Sequence, residues 1–217
     1  MKRIIMIQAI AAIFAISARG QGFLNLNFGA ALVGTNSPGN NGISIPVTDA
    51  LPDWTAYNGP VNSGNALANI YYLTNAAYNG SAIELVGGIA ALSGNDFSVH
   101  LGSNGSISQT ATVPDDAGSL QFEATSPGSG MYITLGGQSL PYLALFEGTD
   151  YTVYGANIPA DLDGQTETLI FGMQGVGQTL LGNIDFSTSP VPEPSGCALI
   201  GLGTILFGLC RRHRTRQ

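Results

Sequence analysis

The chain has 217 residues, with 14 Asp and Glu against 7 Lys and Arg, and its net charge is −7. All the carboxylates lie between Asp49 and Glu193, and no Lys or Arg lies between residues 20 and 210. A body without basic side chains has nothing to neutralise phosphates, which excludes nucleic-acid binding and disfavours docking on anionic lipid. The only cysteines are Cys197 and Cys210, so the body has no disulfide, thiol nucleophile or thiolate metal site.

The chain opens "MKRIIMIQAIAAIFAISARGQGF". Lys2 and Arg3 form a positive start, residues 4–16 are apolar apart from Gln8, and Ala18-Arg19-Gly20 offers a small-x-small cleavage site. That order reads as a secretory signal peptide over residues 1–20, with an apolar run too short to span a bilayer comfortably.

Residues 21–189 are enough for one domain with a sizeable core. Alternation predominates. "FLNLNF" sets Leu24, Leu26 and Phe28 against Asn25 and Asn27, and "FSVHLG" sets Phe97, Val99 and Leu101 against Ser98 and His100. "SLQFEAT" and "MYITLGG" repeat the pattern, and "IYYL", "AIELV", "TATV", "YLALF", "YTVYGA", "ETLIFGM" and "NIDFS" are further strand candidates. Gly, Asn, Pro and Ser separate them. Short alternating strands with turn residues between them predict an all-β fold, a sandwich or barrel.

The succession "FLNLNFGAA", "LPDWTAYNG", "VPDDAGSLQFEA", "ITLGGQSL", "YTVYGANIPADLDGQTETLIF" and "LGNIDFS" resembles jelly-roll β-sandwich domains of the galactose-binding-like type, found among carbohydrate-binding modules. The resemblance implies that the "GQT" stretch and the terminal "NIDFS" strand form a late pair of core strands. Many such domains carry an acidic pair before the terminal strand, where this chain has Gly182 and Asn183.

Trp54, the only tryptophan, stands close to Tyr57 in "WTAY", and Tyr71, Tyr72 and Tyr78 form a second aromatic group. Aromatic faces stack on sugar rings, so Trp54, Tyr57 and Tyr72 are the candidate ligand-binding residues, with a place in the core as the plain alternative for Trp54. Asp161 and Asp163 before Gly164 resemble the start of a calcium loop, but the twelve-residue pattern is incomplete, and Asp115-Asp116 reads as a solvated turn. No catalytic residue, metal ligand or cofactor is expected, although the surplus of carboxylates leaves room for one structural calcium ion. His100, the one body histidine, is expected on the exposed, polar side of its strand.

The chain closes "VPEPSGCALIGLGTILFGLCRRHRTRQ". Residues 197–210 are apolar or glycine apart from Thr204. As a helix they reach about 21 Å, short of a hydrocarbon core of about 30 Å. Arg211, Arg212, Arg214 and Arg216 form a stop-transfer cluster that would stay on the cytoplasmic side. Pro192-Glu193-Pro194, then an apolar run, then arginines, resembles a PEP-CTERM sorting signal, placed here at residues 190–217. That resemblance implies a bacterial protein exported across the inner membrane, with Pro192, Glu193 and Pro194 as the motif read by an exosortase, a membrane processing enzyme. It also implies a place on the cell surface or in the extracellular matrix, with membrane contact only through the C-terminal helix before processing.

The expectation is therefore a non-enzymatic, structural or adhesive surface protein that binds exopolysaccharide. Its rivals are a carbohydrate-active enzyme on a jelly-roll fold and a permanently anchored single-pass surface protein.

Overall fold

The structure is a computed structural model that describes residues 22–33, 43–58, 70–74, 82–87, 91–92, 94–125 and 130–192. The expected signal helix and C-terminal hydrophobic helix lie outside the described residues.

The early strands are β1 (Ile43–Pro46), β2 (Thr55–Tyr57), β3 (Ile70–Thr74) and β4 (Ile83–Gly87), with a single helical turn α1 (Val47–Ala50) after β1. Then come β5 (Phe97–Leu101), β6 (Ser106–Thr112), β7 (Ser119–Ala124), β8 (Met131–Leu135) and β9 (Gln138–Ser139). The last are β10 (Tyr142–Glu147), β11 (Thr152–Asn157), β12 (Thr166–Met173) and β13 (Thr179–Ser187).

They build two sheets, one in the order β1-β3-β4-β5-β13-β7-β11-β10 and one in the order β2-β6-β12-β8-β9. The pairing is nested: β5 with β13, β6 with β12, β7 with β11 and β8 with β9. Nested pairing divided between two sheets is the double Greek-key plan of a jelly roll. The all-β sandwich expected from alternation is the fold of the body. β12 and β13 do not bond to each other as the resemblance implied. Each is instead an interior strand of its own sheet.

The core follows from side-chain alternation. Leu120, Phe122 and Ala124 of β7 and Met131, Ile133 and Leu135 of β8 are buried. Phe122 is a hub: its ring meets Phe171 edge-on at 5.4 Å and stacks with Tyr154 at 5.6 Å. Such aromatic pairs contribute about 0.5–1.5 kcal/mol beyond the area they bury.

"FLNLNF" is not a strand. Asn25 and Phe28 have φ of 49° and 59°, a left-handed conformation that asparagine tolerates better than most residues. The Asn25 side chain donates to Pro52 O and accepts from Ala30 N–H, so it satisfies turns rather than a ladder. The segment buries Phe28 completely against Trp54.

His100 is not exposed. Ser98 and His100 do point away from the main core, but that side of β4, β5 and β13 is covered by a second apolar group of Val86, Leu92 and Leu180, with Tyr151 against it. The chain before β5 folds back over the sheet, and Leu92 N–H donates to Ser98 Oγ. His100 is left only 2% exposed, opposite Glu84 on β4 and Leu180 on β13. Burial lowers its pKa to about 4, against a smaller upward pull from a hydrogen bond with Gln178.

Candidate functional site

Three places bear on function: the junction between body and tail, the outer face of the five-stranded sheet, and the acidic turns.

The junction begins at the end of β13. Gly118 N–H donates to Ser187 O, and Ser119 Oγ donates to Ser189 O at 2.7 Å. A Cβ on Gly118 would stand 2.6 Å from Thr188 O, so only glycine lets the chain cross here. The Asn157 side chain then grips Val191 from both sides. Val191 N–H donates to Asn157 Oδ1 at 2.6 Å, and Asn157 Nδ2 donates to Val191 O at 3.3 Å. The Val191 side chain is buried, seated with Leu145 over Gly155, where a Cβ would lie 2.7 Å from each. Pro192 follows and is exposed. Glu193, Pro194 and the basic cluster Arg211, Arg212, Arg214 and Arg216 lie outside the described residues.

The three aromatic candidates are not brought together. Trp54 is 5% exposed and its indole N–H donates to Asn25 O at 3.1 Å. Its ring lies 5.8 Å from that of Phe28, so it belongs to the core and presents no free face to a ligand. Alternation explains this: Trp54 has the parity of buried Ala56, while Tyr57 shares the outward side with exposed Thr55. Tyr72 is on β3, opposite Ser44 and Glu84, and its side chain lies outside the described residues.

Tyr57 has a different partner, which the sequence reading missed. It pairs with Ser106, Ser106 with Gly172, and Gly172 with Tyr132. These four form one row across β2, β6, β12 and β8, about 14 Å long at the usual strand spacing. A Cβ on Gly172 would lie 2.5 Å from Cζ and Oη of Tyr132, so the tyrosine ring lies across the glycine. Towards one end of the same face Thr110 and Thr168 share a hydroxyl hydrogen bond at 2.7 Å, and Thr112 and Thr166 one at 3.4 Å. By register, no charged side chain shares the outer face of β2, β6, β12 and β8 among the described residues. Thr110 and Thr112, two apart, were a sequence signal for a polar face. Their pairing with residues more than fifty positions away was not.

The acidic turns meet at one end of the sandwich. Val113 N–H donates to Gln165 O, and Gly164 N–H to Val113 O. This brings "VPDDAG" against "DLDGQ", and a Cβ on Gly164, at φ 67°, would stand 2.8 Å from Asp115 Oδ1. Asp161 accepts from Gln138 Nε2 at 3.3 Å. Among the described residues no three His, Cys, Asp or Glu side chains gather closely enough to hold a metal ion. At Gly182 and Asn183 the ladder between β13 and β7 shifts register, and Asn183 has φ 41°, so a bulge occupies the place of the acidic pair.

No curated protein matches the chain. Among the described residues no helix is long and apolar enough to cross a membrane. Residues 190–214 match the PEP-CTERM protein-sorting motif, which begins one residue before Val191 and includes the Pro192-Glu193-Pro194 triplet. The chain therefore carries a PEP-CTERM sorting tail directly behind a β-sandwich body, and that tail marks an exported protein sorted to the cell surface by an exosortase, a membrane enzyme.

Proposed function

We propose that the mature protein is a non-enzymatic surface or matrix component that adheres to a neutral exopolysaccharide. Residues 1–20 are removed as a signal peptide, residues 21–189 form the working domain, and the tail holds it at the membrane until an exosortase processes it. Pro192, Glu193 and Pro194 are the residues read, and the arginine cluster is the cytoplasmic stop.

The observation that carries the adhesive reading is the row of Tyr57, Ser106, Gly172 and Tyr132 beside the threonine pairs. The half-buried Tyr57 and Tyr132 at the ends of the row, with Ser106 and Gly172 buried between them, provide ring faces for the C–H side of sugars. Threonine hydroxyls both donate and accept, which suits the hydroxyls of a neutral polymer. The acidic remainder of the body disfavours anionic polymers.

The test is binding of the surface-recovered protein to a panel of neutral and anionic polysaccharides. Tyr132→Ala and Tyr57→Ala are each expected to weaken binding to a neutral polymer about tenfold. Undiminished binding by the double variant, or preference for an anionic polymer, would sink the assignment. No binding to any polymer would leave a purely structural component. Intact mass of the same material tests processing: loss of about 20 residues from the front and about 25 from the end is expected.

A further inference from the structure

Asn157 is exposed and belongs to no expected ligand surface, yet both ends of its amide are committed to the backbone of one residue, Val191. The next residue starts the sorting triplet. Upstream, Ser187 and Ser189 give their carbonyls to Gly118 and Ser119, and Ser189 N–H bonds Ser187 Oγ. The body therefore holds its own C-terminal segment up to the residue before the Pro-Glu-Pro triplet.

This has a geometric consequence. Only five residues, 192–196, separate Val191 from the apolar run at residue 197. Fully extended they span at most about 17 Å. A body of about 170 residues has a radius of gyration of about 15 Å, so it is wider than its tether is long. While Val191 is held, the body is pressed against the bilayer beside the enzyme that must act on the tail. Enzymes that take up an extended chain bond its backbone. Here the backbone groups just upstream of the motif are already in use.

We propose that Asn157 is a positioning residue for tail processing: its grip on Val191 restrains the chain at the body surface, so that release of residues 190–191 limits how fast the exosortase takes up the motif. The clamp works as a brake, and opening it adds two residues, roughly 7 Å of reach, because Ser189 O stays bonded to Ser119 Oγ. The inference rests on the exosortase reading of the tail.

The test is pulse-chase conversion of the full-length precursor to the shortened form in the native host. Three changes are compared with the unaltered chain: Asn157→Ala, a six-residue Gly-Ser insertion between Val191 and Pro192, and Glu193→Ala. Two hydrogen bonds of ordinary net strength hold the clamp, so Asn157→Ala is expected to speed conversion about tenfold. The insertion supplies slack with the clamp intact, and is expected to speed conversion to a similar degree.

An Asn157→Ala rate equal to that of the unaltered chain overturns the proposal, even if the insertion accelerates conversion. Acceleration by Asn157→Ala alone also overturns it, since a loosened body rather than a shorter tether would then be the cause. Glu193→Ala separates the two levels. If it blocks conversion while Asn157→Ala changes nothing, the clamp fails and the sorting reading stands. If Glu193→Ala matures normally, or the unaltered chain keeps its full mass, both readings fall.

Discussion

Trp54 is held by an indole hydrogen bond to Asn25 O and by packing on Phe28. Trp54→Ala is expected to cost about 3–5 kcal/mol of stability by opening a core cavity. Trp54→Phe keeps most of the packing but leaves Asn25 O with the Phe28 N–H alone, at about 0.5–1.5 kcal/mol. Both variants should keep polysaccharide binding, measured at a temperature where they remain folded. Lost binding with unchanged melting would return Trp54 to the surface. His100 makes a prediction of the opposite kind, about pH. Its pKa is about 4 in the fold against 6.5 for a free histidine, so between those values the unfolded chain binds the proton and the folded chain does not. Stability from the neutral ring is complete above pH 6.5 and is lost as pH falls towards 4. Glu84 faces His100 from β4 and Gln178 approaches from the segment before β13. Denaturant unfolding of the unaltered chain and of His100→Gln at pH 7 and pH 4.5 should differ in their pH response by on the order of 2 kcal/mol. Parallel responses would mean that the ring already takes up its proton in the fold.

Elements were legible in most strands long enough to alternate, although of β6 only the end was read, as "TATV". "SLQFEAT" and "MYITLGG" show their buried positions directly, and the structure buries those positions. β1 and β2 have four and three residues, too few for periodicity to stand out. "FLNLNF" alternates well but fails as a strand, because side chains that bond the local backbone compete with sheet pairing. His100 shows a different limit. Alternation chose the correct side of β5, but whether that side meets water depends on a distant segment folding back over it. The tail was readable because its signal is local: a triplet, an apolar run and arginines in order. The face of Tyr57 and Tyr132 was not readable, because it exists only once β2, β6, β12 and β8 are in register. The clamp of Asn157 on Val191 was hidden for the same reason, since its partners stand 34 positions apart.

At the scale of the whole molecule, charge is the dominant asymmetry. The body carries carboxylates throughout and no Lys or Arg between residues 20 and 210, so its long-range electrostatics are almost entirely self-repulsion. Raising ionic strength from 0.01 M to 0.15 M shortens the screening length from about 30 Å to about 8 Å. A protein stabilised by ion pairs would lose stability over that range; this one should gain. A gain of about 1 kcal/mol corresponds to a melting temperature about 2–4 °C higher for a domain of this size. Calorimetry of the mature protein in NaCl, KCl and choline chloride checks this, and the three salts should agree, because screening depends on ionic strength and not on the cation. A falling melting temperature would refute the repulsion argument. Calcium chloride at matched ionic strength separates screening from binding. A rise well beyond that of the other salts would place a calcium ion among the carboxylates, with the turns of Asp115 and Asp163 the first to mutate.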